Sequence, residues 1–196
     1  ASDEFSLAYY TNEERTKTAS EINQTEISTI LTYSPGRKTA GYGVERIIIN
    51  EGDYPRLFLN YAVGIKGPFS SDFDYEKLQF YYRHPWQLGG FGKLTTTFEA
   101  GKTFGEVPLG LLNVVPGNQT LFSIFGTYPL LDYYEFVTDT YTSLHLEHNF
   151  NGRFFGRIPL IRDLNLRELI AVRAVMGSIS DENQLLNAST SHPVLF

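Results

Sequence analysis

The chain has 196 residues, 15% of them aromatic, with 17 glycines, no cysteine and a formal net charge of −6. That length suits a single domain spanning 1–196. The missing thiols exclude a disulfide scaffold and a cysteine nucleophile, and an acidic balance without a basic stripe argues against nucleic acid as a partner.

The 13 tyrosines and 15 phenylalanines stand against one tryptophan and one methionine, a mixture that favours β-structure with many turns. No apolar run reaches the roughly 18 residues of a membrane-spanning helix. The first residues lack the regions of a signal peptide, so the sequence is expected to start after any targeting segment. A closed β-barrel would still cross a membrane, because all of its backbone groups are satisfied within the wall.

Read with a period of two, the chain predicts about seven strands, near 3–11, 25–34, 55–66, 75–84, 92–104, 134–151 and 166–179. In "YPRLFLNYAVGIKG" the residues Leu57, Leu59, Tyr61, Val63 and Ile65 share one face, opposite Arg56, Phe58, Asn60, Ala62, Gly64 and Lys66. In "EKLQFYYRHPW" Leu78, Phe80 and Tyr82 oppose Lys77, Gln79, Tyr81 and Arg83. Farther along, Thr138, Thr140, Thr142, Leu144, Leu146 and Phe150 oppose Glu135, Asp139, Ser143, His145, Glu147 and Asn149. In "LRELIAVRAVMGS" Leu166, Ile170, Val172, Ala174 and Met176 oppose Arg167, Ala171 and Arg173, with Glu168 out of place near the start.

The connections, taken alternately, fall into two kinds. One set is mostly longer and more acidic: "TNEERTKTASEINQ", "GPFSSDFD", "GEVPLGLLNVVPGNQTLFSIFGTYPLLD" and the tail "SDENQLLNASTSHPVLF". The other set, "SPGRK", "HPWQLGGFG" and "RIPLIRDLNL", is built from Pro and Gly turns. Membrane barrels place long loops outside and short turns on the periplasmic side, which predicts an exterior location for the first set. The β-prone "RIIIN" between Gly36 and Asp53 is expected to form an extra hairpin.

No motif carries chemistry. His145, Glu147 and His148 suggest a metal site, but on a strand His148 points away from the other two, so ordinary wall residues are expected. Glu99, Asp139 and Glu147 could pair as hydrolytic carboxylates, yet charges facing a barrel lumen are common. Ser143 lacks a G-x-S-x-G context, and "GGFG" joins two strands rather than a strand and a helix. Neither enzyme activity nor a cofactor or metal is expected.

The runs "KGPFSSDFDYEKLQF", "GKTFGEVPLGLLNVVPGNQTLF" and "YYEFVTDTYTSLHLEHNFNGRFFGRIPLIRDLNLRELIAVRAVMGSISDEN" resemble the C-terminal barrel region of an uncharacterised outer-membrane family of Bacteroidota, a domain of unknown function. The likeness covers about Tyr54 to Asn183. It rests on "PGNQT", "LEHNFNG" and "IPLIRDLNLRE" in this order and spacing. It implies an all-β fold, an antiparallel transmembrane β-barrel seen in part, with seven to eight strands visible. Members of that family carry a carboxypeptidase-regulatory-like β-sandwich ahead of the barrel, and the family is distantly similar to barrels that insert or export polypeptides.

Set beside that family, the sequence lacks the sandwich and stops at "SHPVLF", before the last strands. A fragment of a larger chain is therefore expected, with the missing barrel strands supplied by the same or another chain. The implied partners are outer-membrane lipid and other envelope proteins, and the implied role is transport, export or assembly of surface components. On this view Leu57, Leu59, Tyr61, Val63, Ile65, Leu78, Phe80, Leu144, Leu146, Ile170 and Val172 face lipid. Arg56, Lys66, Glu99, His145, Glu147, Arg167 and Arg173 face a lumen. The alternative is a soluble β-barrel that binds a lipid or glycan in an aromatic-lined cavity.

Overall fold

The computed structural model describes residues 8–12, 14–41, 44–50, 54–117, 127–128, 131 and 136–187. Six long strands form one antiparallel sheet: β1 (Glu26–Tyr33), β2 (Arg56–Gly64), β3 (Tyr75–Gln87), β4 (Lys93–Phe104), β5 (Thr140–Asn149) and β6 (Leu169–Ser178). They pair in chain order, each with its sequence neighbour, as a meander. A short α-helix, α1 (Asp181–Leu186), follows β6. The fold is thus all-β and antiparallel. Among the described residues it is an open sheet rather than a closed barrel, since β1 pairs only with β2 and β6 only with β5.

The alternating pattern explains the strands and their register. A slip of one residue anywhere would mix apolar and polar side chains on both faces, and the observed pairing keeps them apart across all six strands. β2 to β6 run 9, 13, 12, 10 and 10 residues. That exceeds the five or six typical of soluble proteins and meets the roughly 9–11 that a tilted membrane strand needs.

Four expectations change. The strand predicted at 134–151 starts as a long strand only at Thr140. Val137–Thr138 pair instead with Asn113–Val114, and residues 134 and 135 lie outside the described residues. The segment 3–11 contributes only Tyr9–Tyr10, paired with Thr18–Ala19, its first five residues lying outside the described set. The turn expected in "HPWQLGGFG" is shorter, because His84 to Gln87 belong to β3. Pro85 is tolerated there because β2 begins at Arg56, opposite Arg83, so that beyond this point β3 has a neighbour on one side only. The hairpin expected around "RIIIN" is a two-residue ladder, Thr39–Ala40 with Ile47–Ile48.

All connections of the long, acidic set leave one end of the sheet, and those of the turn set leave the other. The apolar core sits at the first end and not on a sheet face: Val107, Leu109, Leu112 and Val137 pack with Tyr75, flanked by Phe73, Leu111, Val114 and Ile179. Asp139 and α1 lock this cluster. The Asp139 carboxylate accepts the Ser180 backbone N–H (2.7 Å), the Asn183 amide (3.1 Å) and the Thr140 hydroxyl (3.1 Å). Asn183 and Asn187 in turn accept the backbone N–H groups of Val107 and Leu109, at 2.8 and 2.7 Å. Burial alone would raise the Asp139 pKa, but the bonds from Ser180, Asn183 and Thr140 outweigh it and hold the pKa below the usual carboxylate value.

Candidate functional site: the polar face of the sheet

One face of the sheet is apolar. Leu57, Leu59, Tyr61 and Val63 on β2 stand in register with Leu78, Phe80 and Tyr82 on β3, then Phe98 and Ala100 on β4, Leu144 and Leu146 on β5, and Ile170, Val172 and Ala174 on β6. β1 adds Ile27, Leu31 and Tyr33. Many of these side chains are open to the surroundings, Ile27 at 62%, Ile170 at 58% and Met176 at 77% of their free accessibility. Among the helices and strands described, each long strand makes its main contacts with its ladder neighbours. Ile65, which sequence alternation assigns here, lies one residue past β2.

Charge on this face is confined to the strand ends. Glu76 and Lys102 lie near one end, where Tyr61 donates to Glu76 (3.0 Å) and the Lys102 ammonium stands over Phe104. At the other end Tyr82 bonds His84 (2.7 Å), His84 stacks on Trp86 (3.8 Å between centroids), and His148 stacks on Phe150 (4.0 Å). The ring of His148 donates to the Phe91 carbonyl, which accounts for a histidine on this face. From the Glu76 row to the Trp86 row, ten residues span about 33 Å, or about 25 Å of depth at the tilt of membrane barrels.

The opposite face is polar and more deeply covered. Thr95, Thr97, Thr103, Ser143 and His145 on it are all buried, as are Ala62, Gly64 and Gly101. Arg56, Arg83, Thr97, His145 and Arg173 form one continuous row across β2 to β6. Arg56 and Arg83 stand directly opposite each other in this row, an arrangement of like charges that is unfavourable on a sheet by itself. Arg56 lies 4.9 Å from the Tyr54 ring centroid. Glu99 sits one row toward the loop end, between Tyr81 and Ser143, and Glu147 one row the other way. Asn60 donates to Gln79 (3.0 Å), and Tyr75 to Glu26 (2.7 Å).

Two glycines shape this face. A Cβ on Gly64 would come within 2.3 Å of the Tyr75 ring, and one on Gly101 within 2.4 Å of the Tyr141 ring. Each ring therefore lies flat over the strand beside it, a close approach that any larger residue would block.

Described residues of the connection between β4 and β5 lie on the polar face. Tyr128 sets its hydroxyl 2.8 Å from Nε2 of His145 and donates to the Ala174 carbonyl at 3.3 Å. Nearer the strand end, Leu111, Leu112 and Asn113 enclose with Lys77, Gln79, Thr103 and Tyr141 a cavity of about 80 Å³.

Of the residues expected to face a lumen, the register gathers Arg56, Glu99, His145, Glu147 and Arg173 on the polar face. Lys66 and Arg167 lie in connections at opposite ends. Arg167 borders a cavity of about 310 Å³ with Gln87, Lys93 and Asn149. Arg83 belongs to the same row, and the alternation that located Arg56 also identifies it. Tyr128 comes from a loop, where no periodic signal marks it. The face offers guanidinium groups that can pair with anionic oxygens, flanked by the carboxylates of Glu99 and Glu147.

A profile described as the family of unknown function (DUF5686) C-terminal domain matches residues 3–181. Searches of curated proteins and of solved structures return no match.

Proposed function

We propose that this chain, which belongs to that family of unknown function, forms a stretch of outer-membrane β-barrel wall in a Gram-negative bacterium of the Bacteroidota. Its role is transport, export or assembly of surface components, without catalysis of its own. The apolar face meets lipid and the polar face lines a lumen. Strands from the rest of the protein, or from another chain, continue the wall from the free edges of β1 and β6.

The observation that carries this is the inversion of the sheet. A water-soluble sheet covers its apolar face and leaves its polar face open. In this chain the loop between β4 and β5 covers the polar face, while the apolar one is left open. The open patch is about 24 Å wide by five strand spacings and about 25 Å tall, at or above the largest patches that soluble monomers tolerate. Two further features agree: aromatic side chains cluster at the ends of the apolar band, and its few charges lie at those ends.

The test is fractionation of the full-length protein, expressed with its own targeting signal. Recovery in the outer-membrane fraction, with gel mobility that shifts on heating, is expected. Recovery as a soluble monomer without detergent would overturn the proposal and direct attention to an apolar ligand.

A further inference from the structure

The connection between β5 and β6, residues 150–168, is not a solvent loop in its chemistry. Its backbone is largely bonded within itself: Gly156 N–H to Gly152 (2.8 Å), Arg157 to Phe154, Ile158 to Phe155, and both Ile161 and Arg162 to Ile158, the last at 2.9 Å. The Glu168 carboxylate closes the lobe by accepting the backbone N–H groups of Phe154 and Phe155. Burial would raise the Glu168 pKa, and these backbone bonds lower it overall, keeping the staple charged.

With its backbone satisfied, the lobe turns apolar side chains outward. Phe154, Ile158, Leu164 and Leu166 are exposed, and Leu160 is exposed at 92%. Arg153, Arg157, Arg162 and Arg167 accompany them against two acids, Asp163 and Glu168, in a chain that is acidic overall. The lobe also continues the apolar face: Phe150 follows His148 on that face, and Phe154 packs edge-on against Phe150 at 5.1 Å. Arg153 lies over the Phe91 ring at 4.0 Å, tying the lobe to the neighbouring turn.

From this we infer that residues 150–167 are an interfacial anchor that binds the anionic phospholipid headgroups of the leaflet at the turn end of the sheet. Apolar side chains enter the headgroup boundary, and the phosphates are contacted by Arg157 and by Arg162, whose Nε bond to the Asp163 carboxylate (3.3 Å) is solvent-exposed and leaves its terminal amino groups for the lipid. A surface combining exposed Phe and Leu with arginines has the composition of peptides that lie in a membrane interface, and arginine is well suited to phosphate oxygens. This rests on the membrane reading above and adds to it a specific lipid class and a named element.

The test uses the full-length protein refolded into vesicles of phosphatidylcholine, with and without phosphatidylglycerol. Insertion is read by heat-modifiable mobility and by protection of the membrane-embedded part from added protease. Phosphatidylglycerol is expected to favour insertion of the native sequence, and added salt to remove the advantage. The double variant Arg157→Gln/Arg162→Gln should insert normally into neutral vesicles and lose roughly 5-fold of that advantage per arginine. Equal insertion of the native chain into both compositions, or a double variant that keeps the full advantage, would overturn the anchor while leaving the wall intact. Failure of the native chain to insert into neutral vesicles would instead overturn the wall itself.

Discussion

Leu144→Arg is the most informative single change in the wall. Leu144 sits on the apolar face between Phe98 and Ala174. It is four residues from Thr140 at one end of β5 and four from His148 near the other, so about 13 Å of strand separates it from each. At a tilt of about 40° that is roughly 10 Å of depth on both sides, which puts the position near a bilayer midplane. An arginine there should cost about 2–4 kcal/mol. Two controls give the number its meaning. Ile170→Arg, in the His148 row, should cost no more than about 1 kcal/mol because it lies near the interface. Glu147→Arg, on the polar face, should stay within about 0.5 kcal/mol. The assay is a guanidinium titration of the full-length protein folded into phospholipid vesicles, followed by its heat-modifiable gel mobility. Equal costs at 144 and 147 would refute the separation of faces, and equal costs at 144 and 170 would refute the depth dependence.

The remaining predictions concern the polar face and its cap. Gly101→Val should destabilise by about 1–3 kcal/mol by displacing the Tyr141 ring, and adding Tyr141→Ala should recover part of the loss in a double-mutant cycle. Tyr128→Phe should cost about 1 kcal/mol by removing the hydrogen bonds to His145 and Ala174, seen as faster proteolysis of the loop between β4 and β5 with the sheet unchanged. Asp139→Ala should release α1 and the Val107 to Leu112 segment, detected as increased amide exchange there. Because the Asp139 pKa is lowered on folding, its contribution is complete above the unfolded value of about 3.9. It is lost as pH falls below that value and through the lowered folded one. The protection factor of the α1 amides, observed exchange divided into the intrinsic base-catalysed rate, should therefore be flat at neutral pH and fall only in acid, and a loss of protection between pH 7 and 5 would contradict that origin.

What the sequence made legible follows from which features are periodic. A period of two located β1 to β4 and β6 within three residues of their ends, and sorted Leu57, Phe80, Leu144 and Val172 from Arg56, Glu99, His145 and Arg173, because each strand repeats its own signal many times. Features that depend on one contact were not legible. The strand expected to run continuously through Asp139 is interrupted because that side chain is bonded to Ser180, some forty residues away. Pro85 looks like a turn residue until the early end of β2 is known. The helix α1 has a local signal, Ser180 followed by Asp181 and Glu182, which suits a helix start, but its apolar face is too short to be periodic. The placement of Tyr128 on His145 depends on loop packing, which alternation does not encode.

The most direct test of the inverted sheet is a cysteine scan, because residues 1–196 contain no cysteine of their own and any elsewhere in the full-length protein can first be replaced with serine. Single cysteines would be placed in turn from 140 to 149 and from 76 to 86 of the full chain in native membranes. Each would be probed with a membrane-impermeant thiol reagent and with a lipid-soluble one. Strict alternation is expected: 78, 80, 82, 142, 144 and 146 react from the lipid phase, 77, 79, 81 and 147 react only from the aqueous side, and 143 and 145, buried beneath the loop between β4 and β5, resist the lipid-soluble reagent. Aqueous labelling of the first group, with protection of the second, would contradict it and turn the sheet inside out.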